Sequence, residues 1–331
     1  MSKFKGKKNN LPQQPQSQPQ PPQGVWQTLF ATPTPAKASG FAFTLSSIFS
    51  VGLSFVFLLI VFFTGAAQTE GYDKQDWYLY CAYLLPQLAT AITLIFYFSF
   101  LKKPFAQSAR GQKCPWKYFL IAFLLQVGLL SLAEVNTAFL QFLERFGYQD
   151  AGIYLPNMDG GALVGVLFVV AVLPSVFEEL LFRGMVLNGL KQFGETSAVL
   201  LCGALFALYH QNPAQTIYQF CCGAAFALVA IRAGSVLPTI VSHLVNNAVI
   251  VVLTKLGINS FDGGMYAAIV IISIVCLFGS LAYLLFFDKK EPQEKPDQEL
   301  IKAETKNFWL YAGVGVLLCG LSWLATLLTG F

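Results

Sequence analysis

Two adjacent glutamates, Glu178 and Glu179, are followed by Arg183 within the apolar stretch VFEELLFRG. An ionisable side chain in hydrocarbon costs at least about 2.5 kcal/mol on insertion scales, so charges that are kept there tend to be functional. Glu179 and Arg183 are four residues apart and share a helix face in the order that favours an ion pair. Glu178 points about 100° away from that face. The spacing predicts a structural pair of Glu179 and Arg183, which leaves Glu178 free for chemistry.

The stretch FALYH ends at His210, beyond a short turn at Gly194. Glu178 and His210 each lie sixteen positions from Gly194, so two antiparallel helices joined there can place them side by side. A carboxylate opposite an imidazole can hold a water and take its proton, or supply two ligands to a metal. Phe206, one turn before His210, would pack over such a site. The plainer interpretation is a histidine that only hydrogen-bonds a neighbouring helix.

The stretch SHLVNNA contains His243 and Asn247, which are four residues apart and share a helix face, with Asn246 beside them. Imidazole and amide donors aimed at one point can stabilise an oxyanion when a carbonyl becomes tetrahedral. The same side chains can equally hydrogen-bond across helices, as polar residues in membrane bundles often do. The motif alone therefore leaves both interpretations open.

The chain that must position these residues has 331 residues, of which 55% are hydrophobic and only 11% charged. Apolar runs long enough to cross a hydrocarbon core of about 30 Å recur along most of it. We predict an all-α polytopic transmembrane bundle of about eight to nine spans. Nine runs carry this prediction, at residues 40–65, 77–101, 116–139, 161–190, 197–210, 214–231, 236–256, 265–287 and 308–328.

The runs divide the chain into four regions. Residues 1–39 form a basic, Pro/Gln-rich tail that we expect to be disordered and cytoplasmic. N-terminal transmembrane helices occupy 40–160 and the candidate catalytic core occupies 161–256. C-terminal helices, interrupted by a polar linker at 288–307, occupy 257–331.

Basic residues are distributed unevenly between the two sets of connections. All but three of the 21 lysines and arginines fall on the side of the N-terminal tail, the exceptions being Lys74, Arg145 and Lys255. Because cytoplasmic connections carry the excess of Lys and Arg, the N-terminus is predicted to be cytoplasmic. With nine spans, the C-terminus would face outward.

Taken in order, the three motifs EELLFR, FALYH and HLVNN resemble the CPBP family (CAAX proteases and bacteriocin-processing enzymes, also called the ABI family). Type II CAAX prenyl endopeptidases are among its members. The resemblance covers about ninety residues, roughly a third of the chain. It implies an intramembrane endopeptidase with a conical, water-accessible active-site cavity among the central helices.

The resemblance also implies roles for individual residues. Glu178 is similar to the water-activating base and His210 to its partner. His243 and Asn247 correspond to the oxyanion pair or to further polar ligands, and Glu179 with Arg183 to structural residues. Whether the family works through a glutamate-activated water or through a metal is open at this stage. A divalent metal such as zinc could be bound by Glu178, His210 and His243; no other cofactor is expected.

Two other functions remain open from the residues alone. The same buried polar side chains could line a path in a transporter, although matching interrupted helices in two halves are not evident. A non-catalytic membrane immunity or scaffold protein is the third reading. We expect the lipid bilayer and a membrane-associated peptide or protein substrate as partners, and no nucleic acid. The location would be the cell membrane if the chain is bacterial.

Overall fold

The computed structural model describes residues 34–101, 111–150, 152, 154–258, 261, 263–288 and 298–330. Most of the predicted tail and residues 289–297 of the predicted linker lie outside them. The described residues form nine helical segments, here numbered in chain order: α1 Pro35–Phe63, α2 Asp76–Leu101, α3 Lys117–Glu144, α4 Ala162–Phe193, α5 Glu195–Tyr209, α6 Pro213–Ala233, α7 Leu237–Lys255, α8 Gly263–Phe287 and α9 Gln298–Thr329.

Eight of these helices in the described part of the chain are long and apolar enough to cross a membrane. Helix α5 has only 15 residues, about 22 Å at 1.5 Å per residue, which is short of the hydrocarbon core. The predicted all-α polytopic bundle of eight to nine spans is confirmed, and the protein is an integral multi-pass membrane protein. Helix α1 begins before the predicted first span, and α9 includes residues 298–307 of the predicted linker.

Several charged helix ends form ion pairs at one end of the bundle, and they belong to the side on which the sequence places most basic residues. Lys117 Nζ lies 2.7 Å from Asp288 Oδ1. Arg232 Nη2 lies 2.8 Å from Glu195 Oε1, and Arg232 Nη1 lies 3.8 Å from Asp288 Oδ2. The starts of α3 and α5 therefore meet the ends of α6 and α8 at this end, here called the basic end.

The connections that carry few basic residues lie at the opposite end of the bundle. Lys255 Nζ donates to Asp159 Oδ1 at 2.6 Å, and this hydrogen bond lowers the pKa of the Asp159 carboxyl. The Asn157 amide donates to Asp76 Oδ1 at 2.7 Å. The contacts at both ends agree with the alternation of connections that the basic residues indicated.

Helices α5 and α6 form a closely packed antiparallel hairpin. A Cβ on Gly203 would lie 2.7 Å from the Phe220 carbonyl oxygen of α6, so only glycine permits this separation. The approach sets the backbone of α6 against the centre of the bundle. Phe182 of α4 packs edge-on against Phe206 and Tyr209 of α5, with ring centroids 5.0 and 5.3 Å apart. Helix α4 is thereby fixed against the hairpin.

Helix α4 is irregular where it carries the charged motif. Two π-helical segments, Leu167–Val172 and Leu180–Val186, flank the α-helical turns Leu173–Glu179. Such wide turns are uncommon and frequently occur at functional sites. Pro174 contributes to the irregularity because it has no backbone N–H for the α-helical ladder.

Candidate functional site

The structure places Glu178 of α4 next to His210, at the end of α5. Glu178 Oε2 and His210 Nε2 are 4.0 Å apart, and their side chains are 11% and 18% exposed. The separation exceeds a direct hydrogen bond, and neither side chain is completely enclosed. The arrangement is the one that equal distances from Gly194 predicted.

Hydrogen bonding fixes the orientation of the His210 ring. Nδ1 lies 2.7 Å from the Phe206 carbonyl oxygen one turn earlier. A carbonyl oxygen can only accept, so Nδ1 carries a proton and the neutral ring presents Nε2 as an acceptor. The Phe206 ring packs edge-on against the imidazole, with centroids 4.7 Å apart. In the neutral ring, Nε2 is therefore the acceptor that faces Glu178.

Gln87 of α2 is a site residue that the sequence interpretation missed. Its Nε2 donates to Glu178 Oε1 at 3.1 Å, and the side chain is 5% exposed. The bond occupies one carboxylate oxygen and leaves the other facing His210. The sequence does contain a signal for this residue, since Gln87 is a polar carboxamide next to Pro86 inside an apolar helix. A neutral amide lacks the high insertion cost that distinguishes charged residues in a membrane helix, so the signal is weak.

Glu179, Arg183 and His243 form a buried three-residue cluster. Arg183 Nη1 donates to Glu179 Oε1 at 2.8 Å, and both side chains are fully buried. His243 Nδ1 lies 3.1 Å from the same oxygen. The predicted ion pair is thus present as a contact, and it has a further partner: the Glu179 carboxylate orients His243 of α7 as well as holding Arg183.

Arg183 also contacts α5 and α6. Its Nη2 donates to the carbonyl oxygens of Cys222 and Gly223 at 3.5 and 3.4 Å. The guanidinium lies over the rings of Phe206 and Phe226, 4.3 and 5.5 Å from their centroids. Cation–π contacts become stronger when the cation is desolvated. Arg183 therefore joins the three helices that carry the motifs.

Asn247 donates to α4 close to Pro174. Its Nδ2 lies 3.1 Å from the Val170 carbonyl oxygen, within the π-helical segment Leu167–Val172. Pro174 has no backbone N–H, and a carbonyl in a membrane helix that lacks a donor costs several kcal/mol. A side-chain donor at this irregular part of the helix therefore has a clear physical reason. One of the two amide hydrogens of Asn247 is committed to this contact and the other remains available.

Asn247 is in turn held by a chain of carboxamides. Asn246 Nδ2 donates to Asn247 Oδ1 at 3.1 Å. Gln126 Nε2 donates to Asn246 Oδ1 at 2.8 Å and to the Tyr218 hydroxyl at 3.2 Å. The chain links α3, α6 and α7 and fixes the amide of Asn247. Both His243 and Asn247 lie on the cavity described next.

A cavity of about 420 Å³ lies among α3, α4, α5, α6 and α7. Arg183, His243 and Asn247 line it, whereas Glu178 and His210 are not among its lining residues. Phe206 connects the two parts of the site because its ring lines the cavity and packs against His210. The remaining lining residues are Gln126, Ala133, Asn136, Thr137, Leu140, Asp150, Asn212, Ala214, Gln215, Tyr218, Gln219, Cys222, Phe226, Asn246 and Ile250.

The residues suggested as metal ligands do not assemble into one site. Across the described ranges, no group of three or more His, Cys, Asp or Glu side chains could hold a metal ion. Glu178 and His210 face each other, but His243 turns Nδ1 toward Glu179 instead. A catalytic zinc site ordinarily has three protein ligands. The donor set does not fit such a site, and we assign no step to a metal.

Comparison with known proteins identifies the segment that carries all three motifs. Residues 160–249 match the family described as Type II CAAX prenyl endopeptidase Rce1-like. The match covers 90 of the 331 residues. It confirms the resemblance to the CPBP family and supports protease activity. No curated protein and no solved structure matches the chain.

Within residues 160–249, the buried ion pair of Glu179 and Arg183 leads to a stability prediction. Arg183→Ala leaves the Glu179 carboxylate buried without its main counter-charge, so we expect a loss of about 3–5 kcal/mol in unfolding free energy. Replacing both residues by methionine removes both charges and should cost less. Thermal unfolding in detergent measures the difference. Arg145→Ala, at an exposed arginine, is the matched control, and an Arg183→Ala midpoint equal to that of the control would contradict the prediction.

Proposed function

We propose that the protein is an intramembrane endopeptidase that hydrolyses a peptide bond of a membrane-associated protein or peptide, using a water activated by Glu178 and His210. The observation that carries the proposal is the 4.0 Å separation of Glu178 Oε2 and His210 Nε2. The family match at residues 160–249 supports the same reaction class. Residues 161–256 are the catalytic core, and the regions 40–160 and 257–331 flank it.

The gap between the two groups suits one water. An oxygen about 2.8 Å from both atoms fits a separation of this size. In the proposed mechanism both atoms act as acceptors: Glu178 is the carboxylate base, and His210 carries its proton on Nδ1. The water then donates one hydrogen to each group, and its lone pairs point away from them, toward a substrate carbonyl. Gln87 holds the other oxygen of Glu178 and so keeps the carboxylate in this orientation.

The reaction needs no group beyond the protein and water. The water oxygen attacks the scissile carbonyl carbon while its proton passes to Glu178. Collapse of the tetrahedral intermediate breaks the C–N bond, and the proton held by Glu178 goes to the departing amine. The scissile carbonyl would then lie beside the Phe206 ring, which lines the cavity and packs on His210.

His243 and Asn247 stabilise the oxyanion in this mechanism. Asn247 has one amide hydrogen left after binding the Val170 carbonyl. His243 directs Nδ1 to the Glu179 carboxylate, which can only accept, so Nδ1 carries a proton. Nε2 of the ring faces away from Glu179 and is the second candidate donor to the oxyanion.

The first prediction of the mechanism concerns the two water-binding residues. Glu178→Gln and His210→Ala should each lower peptide cleavage by about 10²–10⁴-fold, because the base or its partner is lost. The assay uses a peptide library in proteoliposomes, with thermal melts of each variant. Glu134→Gln is the matched control, since Glu134 is an exposed intramembrane glutamate bonded to Tyr266. Wild-type cleavage rates in the folded Glu178→Gln variant would rule the mechanism out.

A second prediction concerns the oxyanion donor His243. His243→Ala should lower kcat by about 10²–10³-fold, because one donor to the oxyanion is lost. His243→Gln, whose amide can still donate, should keep more activity than His243→Ala. The measurement is kcat for both variants and wild type, with thermal melts of each. A wild-type kcat in the folded His243→Ala variant would show that His243 does not stabilise the oxyanion.

A further inference from the structure

Three buried hydroxyl groups, from α1, α2 and α5, form a hydrogen-bonded cluster. The Tyr209 hydroxyl lies 2.7 Å from Ser46 Oγ and 3.1 Å from Thr90 Oγ1. Thr90 in turn donates to the Pro86 carbonyl oxygen at 3.0 Å, so the Thr90 oxygen is left to accept from Tyr209. The hydrogen bonds then run in one direction, from Ser46 through Tyr209 and Thr90 to the backbone of α2.

Helix α2 is bonded to both helices that carry the candidate water-binding pair. Gln87 and Thr90 are three residues apart and therefore share a face of α2. Gln87 Nε2 donates to Glu178 Oε1 of α4 at 3.1 Å. Thr90 accepts from Tyr209 of α5, the residue before His210. One face of α2 thus binds the carboxylate on α4 and the last turn of α5 at the same time.

The position of His210 relative to Glu178 depends on where the last turn of α5 lies. The imidazole Nδ1 is 2.7 Å from the Phe206 carbonyl oxygen of the same helix, so the ring moves with that turn. Tyr209 lies in the same turn, and its hydroxyl reaches α1 and α2. A catalytic constellation must be held within about 0.5 Å of its productive geometry. A larger shift of this turn would open or close the 4.0 Å gap between Glu178 and His210.

The Tyr209 ring has packing partners that do not involve its hydroxyl. It packs against Phe182 of α4 and Phe43 of α1, with ring centroids 5.3 and 6.4 Å apart. Aromatic pairs at these distances attract each other beyond the area that they bury. Removal of the oxygen alone therefore leaves a packed ring and tests the hydrogen bonds by themselves.

We infer that Tyr209 is a positioning residue whose hydroxyl bonds set the separation of Glu178 and His210. The inference rests on the proposed function, because the separation matters only if those two side chains act on one water. It extends the site to α1 and α2 through Ser46 and Thr90, which lie outside the family match at residues 160–249. In this role Tyr209 acts through His210 and not on the substrate.

Tyr209→Phe removes the hydroxyl and keeps the ring. Cleavage is measured in proteoliposomes with one peptide that wild type cleaves, chosen from the library. We expect kcat to fall about ten-fold or more with KM within about two-fold of wild type, because a misplacement of about 1 Å can cost about 10²-fold in rate. Tyr118→Phe is the matched control, since its hydroxyl is also buried and bonded, 3.1 Å from Asp288 Oδ2 at the basic end. The control should retain the wild-type kcat.

Thr90 offers a conservative rescue of the same effect. Thr90→Val replaces the hydroxyl with a methyl group and should lower kcat as Tyr209→Phe does. Thr90→Ser keeps the hydroxyl and should retain most of the wild-type kcat. Thermal melts of every variant separate lost alignment from lost fold. A folded Thr90→Ser variant as slow as Thr90→Val would overturn the inference, because the lost methyl group and not the hydroxyl would then be responsible.

The His210→Ala background shows whether Tyr209 acts through the pair. Without His210 there is no separation left to set, so adding Tyr209→Phe should leave the residual single-turnover rate within about two-fold. An equal fall in both backgrounds would show that Tyr209 acts elsewhere in the protein and would overturn the inference.

The two proposals fail in different ways. Cleavage by wild type together with a wild-type kcat in folded Tyr209→Phe overturns the positioning role alone and leaves the proposed function standing. Wild type that cleaves no peptide in the library overturns the endopeptidase function and, with it, the positioning role. The cleavage rate of wild type therefore decides which proposal has failed.

Discussion

A fully buried guanidinium is the constraint on which this site depends. Arg183 lies at the centre of the bundle with no exposed surface, where an uncompensated charge would be very costly. Its compensation comes from Glu179 on its own helix, from two carbonyl oxygens of α6 and from two aromatic faces. These partners fix α4 relative to α5 and α6. The same carboxylate holds His243 of α7, so the structural pair and the candidate oxyanion donor are one electrostatic unit.

The irregular backbone of α4 is the second feature that shapes the site. Pro174 lacks a backbone N–H next to a π-helical segment, and Asn247 of α7 donates to the Val170 carbonyl oxygen there. Asn247 and His243 both line the cavity. The contact fixes the Asn247 amide, and its second hydrogen is the one we propose as a donor to the oxyanion.

The sequence predicted the helical bundle and the short-range part of the site for simple geometric reasons. Glu179 and Arg183 are one helical turn apart, so their pairing depends only on local geometry. The approach of Glu178 and His210 follows from equal distances to the turn at Gly194. The sequence has nine apolar runs, but the fifth corresponds to α5, which is too short to cross the hydrocarbon core.

The remaining contacts could not be derived from spacing. Gln87 reaches Glu178 across ninety-one residues, and His243 reaches Glu179 across sixty-four. Such contacts depend on how α2 and α7 pack against α4, which a single sequence does not specify. The interpretation of His243 and Asn247 as a pair was also incomplete, because each has a different fixed partner. The cavity depends on five helices at once and has no local sequence signal.

The claim that Glu178 and His210 act on one water is tested most directly by a double-mutant cycle on the cleavage rate. Glu178→Gln, His210→Ala and the double variant are compared with wild type under single-turnover conditions. If both residues hold the same water, removing the second after the first should change little, and the double variant should cleave about as fast as the slower single variant. Losses that multiply in the double variant would show that the two residues act independently and would contradict the account.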